Sequence, residues 1–341
     1  MSTDSLGHEY EIATATSSDY LTGTCVALTS AHAGTHRERK SESTKHRVII
    51  FHDGLQKEIR ESASHLLDRL CPTFSIDWVD ISNDPQCKAA SIAGTAIGKA
   101  AQPAKFARLL LGDHARSTKV IYLDSDVLVT GNIRKLAEIN LDGKILGAVQ
   151  DEAYATLIDD IENSEKLGLD PEGPYFNSGI LAIDMERWQE ERVGQWGFEF
   201  ITHNAAESTF NDQSALNVAL SGKWHPLSSH WNAISPGDGD YVVDHPDASI
   251  LHFASRFKPW RTFRAHPWYE IYWEWLIAIG LPISNEIVRD RVQYEVLGRD
   301  ITKMKWSRRG ALLSGRTHRA DEIKKKIVSA HEERQAMSKL Y

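Results

Sequence analysis

Lys119-Val-Ile-Tyr-Leu-Asp-Ser-Asp-Val-Leu-Val129 reads as a strand buried on both faces that ends in two carboxylates set two residues apart. Four apolar residues precede the acids and three follow, the habit of a strand inside a parallel sheet. Side chains at i and i+2 of an extended segment point the same way, so Asp124 and Asp126 are expected to face one cation together. Ligands of such sheets lie beyond the carboxyl ends of the strands. Two hard oxygen donors there suit Mg²⁺ or Mn²⁺, ions commonly held by a few protein ligands plus substrate phosphates. The expectation is a metal-assisted enzyme acting on a phosphorylated donor.

Outward from this stretch, strands and helices alternate. Tyr10 to Thr16 reads as a strand, Ser17-Ser18-Asp19 as a capping cluster, and Leu21 to Ala31 as a helix. Arg47 to Phe51 and Phe74 to Ile81 read as further strands, with a helix over Gln56 to Leu70 whose Ile59, Ala63, Leu66, Leu67 and Leu70 share a face. The stretch from Ala89 to Lys105 is rich in small residues and reads as a loop, either a lid over a ligand or an ordinary surface connection. A helix from Ala104 to about Gly112 feeds the acid-bearing strand. Lys144 to Val149 and Gly179 to Asp184 read as strands, Trp188 to His203 and Asn211 to Leu220 as helices. This order predicts an α/β fold with right-handed crossovers.

The 341 residues are enough for one large or two modest domains, and no apolar run of about eighteen residues exists to span a bilayer. The segment MSTDSLGHEYE has neither the basic nor the apolar region of an export signal, so a cytoplasmic protein is expected. Cys25, Cys71 and Cys87 form no CxxC pair, which speaks for reduced thiols and against a disulfide framework. Charge is unevenly placed. Ile301 to Tyr341 holds 11 Lys or Arg against 4 Asp or Glu, while the preceding residues hold 28 against 43. A basic tail on an acidic body either rests on anionic lipid or is a solvated helix. Nucleic acid is not an expected partner, because the acidic body repels phosphate backbones.

Downstream, Ile250-Leu-His-Phe-Ala-Ser-Arg-Phe-Lys-Pro-Trp260 reads as a short apolar strand that delivers His252 and is followed by Lys258. Read singly, these pass for a core histidine and a solvated lysine. Beside paired acids, the imidazole can complete a cation site and the ammonium can meet a diphosphate. Five ordered motifs then carry a resemblance: KVIYLDSDVLV; PYFNSGILAIDMERW, from Pro174 to Trp188; FNDQSALN, from Phe210 to Asn217; HWN, at His230 to Asn232; and HFASRFKPW, from His252 to Trp260. From about Tyr10 to Trp260 the chain resembles the retaining glycosyltransferases of family 8. Its layout is that of the bacterial lipooligosaccharide galactosyl- and glucosyltransferases, with glycogenin a distant relative.

The resemblance implies a GT-A-like fold, a mixed but mostly parallel sheet flanked by helices, over residues 1–280. A basic helical carboxyl-terminal extension then occupies 281–341, a candidate for peripheral attachment at the inner membrane face. It implies that Asp124, Asp126 and His252 bind Mn²⁺, with Mg²⁺ possible, and that the ion grips the diphosphate of a UDP-sugar. Arg108, Ser125, Ser255 and Lys258 fall at donor-binding positions. Asp151, Asn177, Asp212 and Gln213 match positions that hold the donor sugar, with Asp151, Asp212 and Gln213 nearest the chemistry. Ala15, Ser17, Asp19 and Tyr20 occupy the uridine cradle, where Ser17 replaces a common acid and Asp19 a common asparagine. Ser255 stands where the family mostly has glycine. The implied activity is transfer of galactose or glucose to a saccharide or glycolipid acceptor such as lipopolysaccharide or another surface glycan. Gln213 sits where a nucleophile would be sought and is a poor one, which favours a front-face reaction. Two other readings compete. One is a non-catalytic sugar-nucleotide or glycan-binding protein, suggested by Ser17 and Ser255. The other is a haloacid-dehalogenase-type phosphatase, whose motif also ends a strand in Asp-x-Asp.

Overall fold

The burial of each strand follows its place in a seven-stranded sheet. In this computed structural model, residues 10–36, 45–96, 102–204, 206, 209–234, 247–314 and 317–339 are described. The chain runs β1 (Glu11–Thr16), α1 (Leu21–His36), β2 (His46–His52), α2 (Lys57–Leu70), β3 (Phe74–Asp80) and α3 (Pro85–Ala96). A 3-10 helix (Pro103–Leu110) and α4 (Leu111–His114) lead into β4 (Lys119–Leu123), β5 (Val127–Val129), α5 (Arg134–Ala137), β6 (Leu146–Gln150) and α6 (Leu157–Asp160). Next come β7 (Phe176–Asp184), α7 (Met185–Glu190), α8 (Val193–Asn204), α9 (Asp212–Ala219), β8 (Trp224–Pro226), β9 (Ala233–Ile234) and β10 (Ile250–His252). Three helices follow: α10 (Pro267–Ala278), α11 (Asn285–Leu313) and α12 (Thr317–Lys339).

The main sheet has the order β3-β2-β1-β4-β7-β6-β8. Only β7 is antiparallel to its neighbours β4 and β6. β2 is buried at every position because β1 and β3 flank it and helices cover its faces. A second sheet, β5-β10-β9, is built from strands of two or three residues. Between the sheets lies α1, with Cys25, Val26, Ala27, Leu28, Thr29, Ser30 and Ala31 all buried, so it presents no polar face. Ser30 Oγ accepts the Val129 N–H at 3.0 Å, and a Cβ on Gly34 would lie 2.1 Å from the Gly131 carbonyl oxygen. Small residues let this helix lie close to the second sheet.

Four sequence expectations are corrected. The quoted stretch is two strands: β4 ends at Leu123, Asp124-Ser125-Asp126 is a turn, and β5 joins the other sheet. Ala89 to Ala96 lies within helix α3, and residues 97–101 of that proposed loop lie outside the described residues. Buried Cys87, Ala90 and Gly94 give α3 a stripe of small side chains too weakly hydrophobic to read as amphipathic. The helix expected over Ala104 to Gly112 is mostly 3-10. Trp188 to His203 is two helices, separated where Arg192 takes φ 52°.

The chain separates into two compact units, the first extending to His252 and the second beginning at Phe253. The division at 280 expected from the sequence falls between α10 and α11, inside the second unit. In that unit Tyr269 donates to the Phe257 carbonyl and Trp273 Nε1 to the Pro259 carbonyl, both at 2.7 Å, so these buried rings have partners for their polar atoms. α11 and α12 form an antiparallel hairpin around buried Ile287, Ile301, Ala320 and Ile327. No helix among the described residues is long and apolar enough to cross a membrane. All three cysteines are free and buried.

Candidate active site

The turn after β4 and the end of β10 bring together one imidazole and two carboxylates. In the second sheet His252 pairs with Val127, the residue after Asp126, which fixes the histidine beside the acids. One donor atom from each of Asp124, Asp126 and His252 lies within 4.8 Å of the others. His252 Nε2 is 3.3 Å from Asp126 Oδ1 and 3.9 Å from Asp124 Oδ2. A six-coordinate ion with bonds of about 2.1 Å places adjacent donors about 3 Å apart and opposite donors about 4.2 Å apart, so these spacings suit one small divalent cation. The convergence comes from a turn and a strand pairing, and not from two acids on one face of a strand.

A second feature fits a cation. The Nδ1 of His252 meets Asn232 Oδ1 at 2.8 Å, which leaves Nε2 to face the carboxylates. A Cβ on Gly179 would lie 2.4 Å from His252 Cε1 and 2.9 Å from Asp124 Oδ2. Only glycine fits at this point of β7. The backbone N–H of Asp124 is held by the Gly179 carbonyl at 2.7 Å.

Arg108 ties the acids to the rest of the site. It is 6 % exposed, so its charge is held inside the protein and not on a helix surface. Its Nη2 donates to Asp124 Oδ1 at 2.7 Å, its Nε lies 2.9 Å from Asp212 Oδ2, and its Nη1 donates to the carbonyl and hydroxyl of Ser178. The guanidinium also stacks over Tyr122, 4.6 Å from the ring centroid. Burial pushes the Asp212 carboxyl up to about 6 against the pull of Arg108, with Asp124 adding to the rise. Burial likewise raises the Tyr122 phenol.

Asp212 and Gln213 open α9 behind Asn211, a non-glycine residue with φ 48° and ψ −101°. Gln213 Oε1 accepts the Ser178 N–H at 2.9 Å, so its NH₂ group faces Asp151 Oδ2, 3.4 Å away. Asp151 Oδ1 accepts from the N–H groups of Ala153 and Tyr154, and Oδ2 from Asn177 Nδ2 at 3.0 Å. Asp160 anchors this region from below, accepting from Ser214 Oγ at 2.6 Å, Tyr175 OH at 2.7 Å and Thr209 N–H at 2.7 Å. Asp124, Ser125, Asp126, Arg108, Asp151, Asn177, Asp212, Gln213 and His252 thus lie in one connected patch of the first unit.

Ala15 lies one residue before the end of β1, and Ser17, Asp19 and Tyr20 follow in a turn closed by the Tyr20 N–H donating to the Ser17 carbonyl at 3.0 Å. β1 pairs with β4, so this turn and Asp124 leave the sheet at the same end. Lys258 and Ser255 belong to the second unit. The Lys258 ammonium donates to the Phe253 carbonyl at 2.7 Å, and Ser255 Oγ accepts the Phe257 N–H at 3.3 Å. The serine hydroxyl therefore closes a local bend.

Against this geometry, the sequence model described as "Glycosyl transferase family 8" matches residues 11–263. The chain belongs to glycosyl transferase family 8. Membership sets aside the phosphatase reading. Among relatives of the chain, General stress protein A of Bacillus subtilis is 28 % identical over 187 residues, covering 49 % of this chain and 63 % of that protein. Glycosyltransferase GlyF of Streptococcus pneumoniae is 30 % identical over 176 residues, covering 50 % and 41 %. The chain thus spans less than two thirds of either relative. The galactosyltransferase LgtC, solved with donor and acceptor sugar analogs, superposes with a TM-score of 0.61 at 21 % identity, covering 81 % of this chain and 98 % of that one. GlyE of Streptococcus pneumoniae gives 0.57 at 20 %, covering 79 % and 62 %. At such identities the likeness is one of fold, the mixed α/β architecture of GT-A glycosyltransferases.

Sequence reasoning passed over Gly179, Ser178 and the role of Asn232. NSG and HWN stood among the family motifs, but nothing in either marks it as lying against His252. That information resides in the pairing of β9 with β10 and of β7 with β4.

Proposed function

We propose that this protein transfers a hexose, galactose or glucose, from a UDP-sugar to a saccharide acceptor with retention at the anomeric carbon. The observation that carries the reading is the convergence of Asp124, Asp126 and His252 beside a floor of carboxylate and amide groups. Those three residues would hold Mn²⁺, with Mg²⁺ as the alternative. When bound there, the ion supplies a Lewis acid that neutralises charge on the departing diphosphate. The chain's own residues do the rest. Asp151, Asn177, Asp212 and Gln213 offer donors and acceptors suited to sugar hydroxyls, and Arg108 keeps Asp124 and Asp212 from repelling each other. The turn from Ser17 to Tyr20 would receive the nucleoside.

Retention by a covalent intermediate asks for a nucleophile, and Gln213 offers an amide whose oxygen already accepts the Ser178 N–H. A front-face route needs no such group. The acceptor hydroxyl attacks C1 on the face from which UDP departs, the C1–O bond to the phosphate breaks, and the hydroxyl proton passes to a diphosphate oxygen. Mn²⁺-dependent release of UDP from UDP-galactose or UDP-glucose, abolished in Asp126→Ala, is the expected result. Nucleotide binding without release would favour the non-catalytic reading.

The acceptor we propose is a lipid-linked or surface glycan such as lipopolysaccharide, met by a protein resting peripherally on the inner membrane face. The support is on α11, where Trp306 is 67 % exposed and is surrounded by exposed Lys303, Lys305 and Arg309. An exposed indole among cations suits an anionic bilayer interface. Replacing the three cations by glutamine removes about 1 kcal/mol each, or roughly 100-fold in partition, from binding to vesicles containing anionic lipid. Unchanged co-sedimentation would contradict the docking.

A further inference from the structure

We propose that Asn232 is a positioning residue of the cation site, which sets the tautomer of His252; the inference rests on the cation reading above. One group in this network has a direction that is not open to choice. The backbone N–H of Gly179 points at one side-chain atom of Asn177 at 3.0 Å, and a backbone N–H only donates. That atom of Asn177 is therefore its oxygen, and the NH₂ lies on the other side, where Asp151 Oδ2 accepts at 3.0 Å. Both neighbours of Asn177 agree. Asn232 approaches the same oxygen at 2.9 Å, so it presents its own NH₂ there and turns its oxygen the other way. That oxygen meets His252 Nδ1 at 2.8 Å. Two acceptors do not make a hydrogen bond, so Nδ1 carries the proton.

The consequence falls on Nε2. With Nδ1 protonated and engaged, the neutral ring directs the Nε2 lone pair toward Asp126 and Asp124, the state needed to ligate a cation. Asn232 is 2 % exposed and precedes β9, whose Ile234 pairs with His252 in the second sheet. Its side chain thus comes from the residue just before a strand fixed to the histidine's own strand. The same amide chain ends on Asp151, so the orientation of the metal-binding imidazole and that of the sugar-facing carboxylate depend on one set of hydrogen bonds.

The test uses the full chain. In metal-free protein labelled with ¹⁵N-histidine, proton–nitrogen correlation, assigned against His252→Gln, reads the tautomer directly, and we expect the proton on Nδ1. Mn²⁺ binding is followed by the loss of the free-ion electron paramagnetic resonance signal. Asn232→Leu should move the proton toward Nε2 and weaken Mn²⁺ binding by about 10- to 100-fold, the usual effect of losing a ligand's outer partner. Asn232→Asp keeps an acceptor for Nδ1 and should retain the Nδ1–H form although its link to Asn177 is gone. A wild-type ring with no proton on Nδ1 overturns the inference, as does an Asn232→Leu protein with unchanged tautomer and affinity. Should Asn232→Leu not fold, the wild-type spectrum and Asn232→Asp still decide. Failure of the wild-type protein to bind Mn²⁺ would instead strike the cation reading and leave the tautomer result standing.

Discussion

Gly179 shows how tightly the site is drawn. A methyl group there meets His252 and Asp124 at distances no real Cβ tolerates, and both belong to the cation cluster. Gly179→Ala is expected to lower Mn²⁺ affinity at least about 10-fold and to destabilise the protein by about 1–3 kcal/mol, read by metal titration and chemical denaturation. Unaltered metal affinity would show that the ring and carboxylate can part without loss. Asp212 gives a pH prediction for the metal-free protein. Its folded-state pKa, about 6, lies above the ordinary 3.8, so the protonated form favours the fold. That contribution is complete below about 4 and is lost as pH rises through about 6. The melting temperature should fall over this interval, and Asp212→Asn should flatten the fall. The acids were legible in the sequence from their type and spacing and the distant histidine only beside them, whereas the amides Asn177 and Gln213 stood out only through the family motifs, because taken alone they pass for turn and cap residues. The roles of Gly179 and Asn232 were not legible, since a glycine and an asparagine reveal their roles only when strand pairing sets them against the imidazole.

At the scale of elements, α9 is placed by strain on one side and by hydrogen bonds on the other. Asn211 holds a backbone conformation that costs a non-glycine residue on the order of 1–3 kcal/mol, immediately before the two site residues Asp212 and Gln213. Asn211→Gly should stabilise the protein by about 1 kcal/mol, measured by denaturant unfolding; a loss of stability would mean that the side chain matters more than the strain. The opposing anchor is Asp160, which gathers Ser214, Tyr175 and Thr209. The sequence disclosed the long elements well, β2 and α2 above all, because their apolar periodicity is unambiguous. It failed where contrast is low. The stripe of Cys87, Ala90 and Gly94 hid α3 inside an apparent loop, and a run of seven apolar residues around two acids concealed the break between β4 and β5.

Across the whole molecule, the parallel strands of the main sheet were foreseeable from the alternation of strands and helices and its mixed character from the resemblance, but not which strand of that sheet, β7, is reversed. The strand that carries His252 was readable but the second sheet it joins was not, since partner strands of two or three residues have no period to read, and it is the pairing of β10 with β5 that brings His252 to the acids. The front-face route makes its own forecast, that Gln213→Ala keeps most of its turnover and Gln213→Glu gains none; a trapped glycosyl adduct would contradict it. The central claim is that residues from the β4–β5 turn and from β10 grip one divalent ion. Crystals grown with Mn²⁺ and UDP, measured at the manganese absorption edge, test it most directly. The expected result is a single anomalous peak bonded to carboxylate oxygens of Asp124 and Asp126 and to His252 Nε2. Ordered side chains at those three positions with no peak among them would contradict it.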